Sequence, residues 1–376
     1  MQYTEYELGE LLPFEQPTAY IVKSTDYSDA YATPVLTAGK SFILGKTNET
    51  DGIFDQLPVI IFDDFTTATQ FVNFRFKVKS SAMKILHINT DLVIPKYIFY
   101  RLQIIQFDHS THKRYWIQSY SKIKVLIPPL DEQSRIVTRI DELFSELDKA
   151  VDTLKTTKEQ LEVYRQAVLK EIFDSVSTTS VHIKDVCLDI KVGIVIKPTQ
   201  YYVSENGVPA FRNANVRRGY INDTDWVMIS KEGHQQNCRS EVHTNDVLIS
   251  RSGANLGMAS VVPARYNGYN AIDVVIAVPD ISKVIPEFLA QYTNSPMSRA
   301  IVKKNERGAA QGHLNVSAYA NLPIGVPDLQ EQEKLVKQIS DRLSVCDSIE
   351  KTVDTALAQA DAMRQSILKQ AFEGTL

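Results

Sequence analysis

The chain contains the stretch Ile127-Pro-Pro-Leu-Asp-Glu-Gln-Ser-Arg-Ile-Val137 twice, the second time as Val326-Pro-Asp-Leu-Gln-Glu-Gln-Glu-Lys-Leu-Val336. The copies lie 199 residues apart, and the correspondence runs without a gap to Phe173 and Phe372. Identical pairs include Glu132/Glu331, Gln133/Gln332, Ile140/Ile339, Asp148/Asp347, Gln160/Gln359, Arg165/Arg364 and Leu169/Leu368. A duplication of this length indicates an architecture built as a pseudo-twofold internal repeat.

Each copy is predicted to be a long helix. Prolines end the preceding extended segment, and acidic residues follow where they complement the positive end of a helix dipole. Neither copy contains an interior glycine or proline. Apolar residues recur every seventh position, which predicts a seam for helix-on-helix packing. The seam consists of Ile140, Leu147, Leu154, Leu161, Val168, Ile339, Cys346, Val353, Ala360 and Ile367, with companions that include Tyr164, Ile349 and Met363.

The two helices are predicted to pack against one another as an antiparallel coiled coil. The chain must leave along one helix, form a domain and return along the other, so the antiparallel pair is the economical arrangement. One helix would be about 65 Å long at ~1.5 Å per residue. The alternative, in which each helix lies on its own domain, is disfavoured because an ordinary surface helix rarely sustains so long a seam.

A mixed segment precedes each helix. Both segments combine short β-type runs, such as Val59-Ile-Ile-Phe62 and Val247-Leu-Ile249, with helical patterns and Asn-Gly or Asp-Gly turn signals. We therefore predict an α+β protein in four parts: a globular domain at 1–126, a helix at 127–174, a second globular domain at 175–325 and a second helix at 326–376. The two globular segments share little sequence.

Composition limits the class of protein. The 376 residues are 44% hydrophobic and 23% charged, which is ordinary for globular chains, and the net charge is −4. That charge argues against a uniformly basic protein that coats nucleic acid, although a local basic face stays open. The three cysteines are far apart, so neither a disulfide framework nor a CxxC zinc site is expected. No apolar run approaches the ~20 residues that span a bilayer, and we expect a cytoplasmic protein without a membrane partner.

Motifs for catalysis are not found in the sequence. Thr37-Ala-Gly-Lys-Ser41 resembles the end of a phosphate-binding loop, but Pro34 stands where that motif has its first glycine. His109-Ser-Thr-His112 lacks a third metal ligand at a useful spacing. The Asn/Asp-Pro-Pro-Tyr/Phe tetrapeptide of amino-methyltransferases does not occur. We therefore expect no catalytic residue, no metal and no cofactor in this chain.

The duplicated plan resembles the specificity subunit of type I restriction–modification systems, in which each recognition domain is followed by a helix that opens Pro-x-Leu-x-Glu-Gln. Further similarity to that family lies in the helix end Arg165-Gln-Ala-Val-Leu-Lys170 and in Pro209-Ala-Phe-Arg-Asn-Ala-Asn215, Leu248-Ile-Ser-Arg-Ser-Gly253 and Gly312-His-Leu-Asn315. The resemblance covers essentially the whole chain. It implies a non-catalytic subunit whose two target recognition domains each read one half of a split DNA site.

The same resemblance implies the partners. Double-stranded DNA and two methyltransferase subunits would bind this chain, with restriction/translocase subunits added in larger assemblies. The helices would set the spacer between the half-sites and dock the methyltransferases. S-adenosylmethionine, ATP and Mg²⁺ would belong to those partner subunits.

Candidate DNA-contacting residues follow from side-chain chemistry. Arg, Asn and Gln can form two-pronged hydrogen bonds to bases, whereas Lys, Arg, Ser and Thr suit phosphates. Runs of such residues comprise Thr66, Thr67, His109, His112, Lys113 and Arg114 in the first domain, and Arg212, Asn213, Asn215, Arg217, Arg218, Ser250, Arg251, Ser252, Lys303, Lys304, Arg307, Gln311 and His313 in the second. Each run taken singly is also typical of a solvated loop, so no individual base contact is assigned.

Three alternatives stay open at this point. One is a recognition subunit of a related combined restriction–methylation or phage-exclusion system. Another is a coiled-coil scaffold whose paired domains bind proteins, which predicts no DNA-dependent activity. A self-contained nuclease is the least favoured, since its motifs are missing.

Overall fold

A computed structural model describes residues 3–38, 41–108, 114–176, 178–306 and 313–376, with the backbone alone given for 303–306. The chain divides into two compact units. The first comprises Met1–Leu154 and Thr355–Leu376, and the second comprises Lys155–Asp354. Each unit contains one mixed segment of strands and short helices together with parts of two long helices, which confirms the predicted α+β class.

The first unit begins with the elements that precede the first long helix. Its strands are β1 (Thr4–Glu7), β2 (Phe14–Glu15), β3 (Thr33–Leu36), β4 (Ile43–Thr47), β5 (Val59–Asp63), β6 (Thr69–Val72), β7 (Lys77–Val78), β8 (Met83–Leu86) and β9 (Lys124–Ile127). Its short helices are α1 (Leu8–Leu11), α2 (Pro95–Leu102) and α3 (Tyr115–Gln118), and the long helix α4 (Leu130–Asp174) follows.

The second unit repeats this plan. Its strands are β10 (Ser180–His182), β11 (Cys187–Val192), β12 (Tyr202–Val203), β13 (Val208–Phe211), β14 (Val227–Ile229), β15 (Val247–Ser250), β16 (Ala259–Val261), β17 (Asn270–Ala271), β18 (Val274–Pro279) and β19 (Pro323–Gly325). Its short helices are α5 (Lys231–Gln236), α6 (Pro286–Thr293), α7 (Pro296–Glu306) and α8 (Val316–Ala320), and the second long helix is α9 (Leu329–Glu373).

The sheets of the two units have matching topologies. The order β2-β8-β5-β6 in the first unit corresponds to β11-β18-β15-β16 in the second, and every pair in both sheets is antiparallel. The smaller sheets, β4-β3-β7 and β12-β14-β13-β17, each contain one parallel pair, β3 with β7 and β13 with β17. The internal repeat therefore extends into the mixed segments, although their sequences share little.

Strands β5 and β15, each one of the two central strands of its main sheet, are buried on both faces. In β5, Ile60 and Phe62 pack into one apolar cluster, whereas Val59 and Ile61 pack into another. In β15, Leu248 packs into one apolar cluster, whereas Val247 and Ile249 pack into another. Successive side chains of a strand point to opposite faces, so a continuous apolar run is what a strand covered on both sides requires.

Two fully buried glutamines attach the long helices to the mixed segments. The Gln133 side chain accepts a hydrogen bond from the N–H of Ile94 at 2.7 Å and donates to the carbonyls of Leu92 and Pro128 at 3.0 and 2.9 Å. In the second unit, Gln332 accepts from the N–H of Ile285 at 2.8 Å and donates to the carbonyls of Lys283 and Pro327 at 2.9 and 2.8 Å. The repeated glutamine thus fixes the start of each long helix to the segment just before α2 or α6.

Within the second unit, the parts of α4 and α9 run antiparallel. Their interhelical contacts join Lys158 to Asp354 at 2.7 Å, Arg165 to Asp347 at 2.6 Å and Glu171 to Arg342 at 3.0 Å. The residue number rises along one helix as it falls along the other, which is the signature of an antiparallel pair. The helix parts in the first unit are antiparallel as well. There Asp148 pairs with Arg364, and Ile140 packs with Leu368 and Ala371.

The predicted seam residues differ in burial. Ile140, Val168, Ile339, Cys346, Val353 and Ala360 are buried, and Leu147, Leu154, Leu161 and Ile367 are half-buried. Three companions are more accessible: Tyr164, Ile349 and Met363 are 45%, 40% and 53% exposed, and the Tyr164 ring lies under the Arg342 guanidinium of α9. A pair of helices covers only one stripe of each partner, so positions beside the stripe remain accessible. Among the described residues, no helix is both long enough and apolar enough to cross a membrane.

Candidate nucleic-acid interface

The loop from Ser250 to Met258 connects β15 to β16 and is organised around one asparagine. The side-chain oxygen of Asn213 accepts from the N–H of Arg251 at 2.6 Å and from the Ser250 hydroxyl at 3.0 Å. Its amide nitrogen donates to the Ser252 hydroxyl at 3.0 Å. Because Asn213 follows β13, these bonds join the ends of two sheets. They also occupy the side-chain amide of Asn213, a group of the kind that reads adenine and that was predicted to contact DNA.

Arg251 is held by the protein itself. Its Nη1 donates to the Asp273 carboxylate at 2.6 Å and its Nε donates to the carbonyl of Leu314 at 2.9 Å. His313 lies 3.8 Å from the other Asp273 oxygen. Asp273 adopts the left-handed backbone conformation, with φ of 52°, which turns its carboxylate toward these groups. The structure therefore brings together the predicted residues Asn213, Ser250, Arg251, Ser252 and His313 around an aspartate that the pattern did not include.

The loop between β13 and β14 uses several of its predicted contact residues internally. Asn215 is fully buried, accepts from the N–H of Arg212 at 2.9 Å and donates to the carbonyls of Asn222 and Thr224 at 3.1 and 2.8 Å. The Arg212 guanidinium donates to the carbonyl of Asp225 at 2.5 Å. These bonds fix the loop backbone. Arg217 is half-buried, and its Nη1 donates to the neighbouring carbonyl of Val216 at 3.3 Å.

Arg218 points toward a long helix. Its Nη1 donates to both carboxylate oxygens of Glu162 in α4. Burial and the positive charge of Arg218 lower the pKa of Arg299 in α7, and the negative charge of Glu162 opposes this shift. Glu162 and Arg299 were not among the predicted site residues.

Thr66 and Thr67 lie in the turn between β5 and β6. The Asp63 carboxylate accepts from the N–H groups of Phe65 and Thr66 at 2.9 and 3.4 Å, and Thr67 has a positive φ of 58°. Phe65 and Thr66 are exposed at the tip. The neighbouring Asp64, by contrast, is buried together with Lys84. One Asp64 carboxylate oxygen lies 3.2 Å from the Lys84 Nζ, and the other accepts from the N–H of Trp116 at 2.9 Å.

A family model described as the type I restriction modification DNA specificity domain matches residues 2–163 and 169–359 of the chain. The chain belongs to this family. It is accordingly the specificity component of such a system and not a catalytic subunit, and membership implies DNA sequence recognition together with association with partner subunits.

Individual relatives agree with the family. The specificity subunit of the type I restriction enzyme EcoR124I/EcoR124II from Escherichia coli is 30% identical over 404 residues, which cover 95% of this chain and 90% of that subunit. The EcoBI specificity subunit, also from Escherichia coli, is 28% identical over 66% of this chain and 58% of its own length. A chain of a type I R-M system, solved for its complex assembly and conformational transition, has the same fold, with a TM-score of 0.66 at 18% identity over 100% of this chain and 98% of that chain.

Several predicted contacts of this specificity subunit lie outside the described residues. They are His109, His112, Lys113, Arg307 and Gln311, together with the side chains of Lys303 and Lys304. Arg114, immediately before α3, is described and exposed. In the described part of the chain, no group of three or more His, Cys, Asp or Glu side chains could hold a metal ion.

The loops that follow β5 and β15 occupy equivalent positions in the main sheets of the two units. The turn after β5 is closed by hydrogen bonds from Asp63 N–H to the Ala68 carbonyl and from Thr67 N–H to the Asp63 carbonyl. The longer loop after β15 is closed by the same pair of bonds, from Ser250 N–H to Met258 and from Gly257 N–H back to Ser250. The positive φ of Thr67 is matched by Gly257 at 75°.

The first residue of each loop carries opposite charge in the two units. The carbonyl of Asp64 accepts from the N–H of Tyr115 at 2.9 Å, and that of Arg251 accepts from the N–H of Leu314 at 2.8 Å. Tyr115 and Leu314 stand 199 residues apart, the offset of the helix repeat. Asp64 then pairs with Lys84, whereas Arg251 pairs with Asp273. Each loop thus starts from an internal ion pair, but the signs are reversed.

Proposed function

We propose that the two mixed segments, within 1–126 and 175–325, are target recognition domains that read the two halves of a bipartite DNA site. The single observation that carries this proposal is the pair of equivalent loops after β5 and β15. They share their closing hydrogen bonds but differ in length, charge and polar side chains. A common framework with different loop chemistry is what two different half-sites require, because bases are read by the side chains at the groove and not by the framework.

The long helices within 127–174 and 326–376 are proposed to set the number of unread base pairs and to recruit two adenine methyltransferase subunits, with nuclease/translocase subunits in larger assemblies. The antiparallel ion pairs found in each unit support a stiff element with a defined register. S-adenosylmethionine, ATP and Mg²⁺ are proposed to act on the partner subunits, and the assembly is proposed to work in the cytoplasm.

Most of the predicted contact residues that the structure describes fall into two groups under this proposal. Asn213, Asn215, Arg212 and Arg251 hold loop backbone and neighbouring side chains, so they are proposed to shape the reading surface. Exposed or half-exposed side chains are proposed to meet DNA, namely Thr66, Arg114, Arg217, Ser252 and His313. The candidates outside the described residues stay predictions: His109, His112, Lys113, Lys303, Lys304, Arg307 and Gln311.

The test is to express the chain with its companion methyltransferase in a methylation-free host and to map modified adenines by single-molecule sequencing. A split motif with one modified adenine per strand, absent without this chain, is the expected result. A stable complex that leaves the genome unmodified would favour the protein-binding scaffold instead. Inserting one heptad into both helices should lengthen the spacer and leave both half-sites unchanged; an unchanged spacer would contradict the proposed role of the helices.

A further inference from the structure

An apolar tip, formed by Val195 and Ile196, follows β11 at the edge of the main sheet of the second unit. The two residues are 47% and 76% exposed, whereas the preceding Ile194 is buried in an apolar cluster. Aliphatic side chains that stay in water add nothing to the stability of the fold, because the hydrophobic effect rewards only apolar surface that is removed from water. Packing within this unit therefore does not explain the tip.

The tip lies at the same end of the main sheet as the loop after β15. The last residues of β11 and β15 both pair with the first two residues of β18, so the two strands end side by side with the start of that strand. The carbonyl of Ile194 accepts from the N–H of Asp273 at 3.1 Å, and the Asp273 carboxylate accepts from Arg251 at 2.6 Å. Asp273 thus joins the segment that carries the tip to the loop that is proposed to read DNA.

The backbone fixes the tip at both ends. The N–H groups of Gly193 and Ile194 donate to carbonyls at the start of β18 and the end of β17, at 2.9 and 2.8 Å. A Cβ at Gly193 would lie 2.4 Å from the Ala271 carbonyl oxygen, so this close approach requires glycine. Beyond the tip, Lys197 has a positive φ of 44° and Pro198 begins a short 3₁₀ helix. A side chain on a backbone held in this way loses little conformational freedom when it binds.

The equivalent segment of the first unit is polar. Ile194 donates its N–H to the last carbonyl of β17, and Val22 donates its N–H to the last carbonyl of β7 at 3.0 Å. The residues after Val22 are Lys23 and Ser24, which are exposed and donate their N–H groups to the Glu49 carboxylate at 2.8 and 2.9 Å. The common framework accommodates polar residues at this place, so the fold does not require an apolar tip. The tip is a chemical difference between the two units beside their proposed reading loops.

The chemistry of the tip selects one group on DNA. An aliphatic side chain cannot form a hydrogen bond to a base, and the apolar group that base edges present in the major groove is the C5-methyl group of thymine. We propose that Ile196, flanked by Val195, contacts the methyl group of a thymine in the half-site read by the second unit. This inference rests on the proposed DNA-reading function and assigns a specificity-determining residue to it. The contact favours thymine over cytosine at that position, because cytosine has no methyl group there.

The decisive experiment removes thymine methyl groups while it keeps the base pairs. Duplexes that carry the mapped motif are made with deoxyuridine in place of each thymine, one at a time. Their affinity is measured for the complex of this chain with the companion methyltransferase. One substitution should weaken binding of the wild-type complex about fourfold, the factor that corresponds to one buried methyl group. The Ile196→Ser complex should bind the thymine and deoxyuridine forms of that duplex equally, because the apolar partner of the methyl group is gone.

Ile281→Ser is the matched control. Ile281 is an aliphatic residue of the same unit, is 68% exposed and follows the last residue of β18, at the opposite end of the main sheet from the tip. This variant should keep the wild-type dependence on the thymine methyl group. Ile196→Ser itself should keep the wild-type melting temperature, since the side chain is exposed, and the wild-type slope of log K against log salt, since no phosphate contact is lost.

Two results would overturn the proposal. If no deoxyuridine substitution weakens the wild-type complex, or if the same substitution weakens wild type and Ile196→Ser equally, the tip does not read a methyl group. If Ile196→Ser weakens binding to the motif duplex and to an unrelated duplex alike, while deoxyuridine has no effect, the tip is a wedge between base steps. A wild-type complex that produces no split methylation motif would instead be the failure of the proposed function, so the two failures are distinguishable.

Discussion

Arg251 donates to Asp273 at 2.6 Å, so an arginine suited to reading guanine is held by an acid 22 residues further along the chain. Arg251→Ala should lower the free energy of unfolding by about 2 kcal/mol, because it leaves a partly buried carboxylate and the Leu314 carbonyl without their donor. Asp273→Asn should cost less, since asparagine keeps an acceptor and tolerates the left-handed backbone. Urea unfolding of both single variants and the double variant measures the coupling. Additive losses would mean that the two side chains do not act together.

The same pair should affect only one half of the DNA motif. Arg251 and Asp273 both belong to the second unit, so their substitution should relax the half-site read by that unit. The other half-site should stay as in the wild type, which methylation mapping can check. A change in both halves would contradict independent recognition by the two segments.

Replacing a buried glutamine at the start of a long helix should cause a large loss of stability. Gln332→Leu should cost about 3 kcal/mol or more, because it leaves the N–H of Ile285 and two carbonyls buried without partners. Gln338→Leu on the exposed face of α9 is the matched control and should change stability by less than about 0.5 kcal/mol. Denaturant unfolding measures both, and equal effects would show that the Gln332 hydrogen bonds contribute little.

The helix pair should respond to exchange of charges between Arg165 and Asp347. Arg165→Asp places a third carboxylate beside Asp347 and Glu350, so it should lower the melting temperature. Adding Asp347→Arg should recover about 1 kcal/mol but not all of the loss, because Glu350 then faces an acid. A double variant no more stable than Arg165→Asp would exclude this contact as a determinant of register.

The loop after β15 should be sensitive to backbone conformation at Gly253. Its φ is 70°, and an added Cβ would have no heavy atom within 4 Å, so the penalty is conformational and not steric. Gly253→Ala should therefore cost about 1 kcal/mol, and Gly253→Asn less, because asparagine enters the left-handed region more easily. Unfolding measurements in which Gly253→Ala is more stable than Gly253→Asn would contradict this conformational explanation.

Asp246 should make stability depend on pH. Burial raises the pKa of its carboxyl, although the N–H of His243, at 2.8 Å, opposes the shift. The folded state then binds the proton more tightly than the unfolded state, so this contribution to stability is present at low pH and is lost as pH rises through the folded pKa. Asp246→Asn should be more stable relative to wild type at pH 7 than at pH 4. A difference that is constant with pH would exclude the effect.

Local sequence patterns determined the long helices, their start and the duplication. A heptad repeat without glycine or proline specifies a helix with an apolar stripe wherever it occurs, and the buried Ile140 and Ile339 agree with it. The ion pairs between the helices explain why Asp148/Asp347 and Arg165/Arg364 are identical in the two copies. Arg165 meets Asp347, and Arg364 meets Asp148, so each interhelical ion pair joins one residue from each copy.

Only the tertiary structure decided how the polar residues are used. Whether Arg251 is available to DNA depends on Asp273 and Leu314, and whether Arg218 is available depends on Glu162, which precedes it by 56 residues. Composition marks these arginines as suitable for nucleic acid, but a hydrogen bond is set by distance in space and not by spacing in the chain. The equivalence of the two mixed segments is hidden for a related reason: strand pairing requires burial and alternation, which many different apolar residues satisfy.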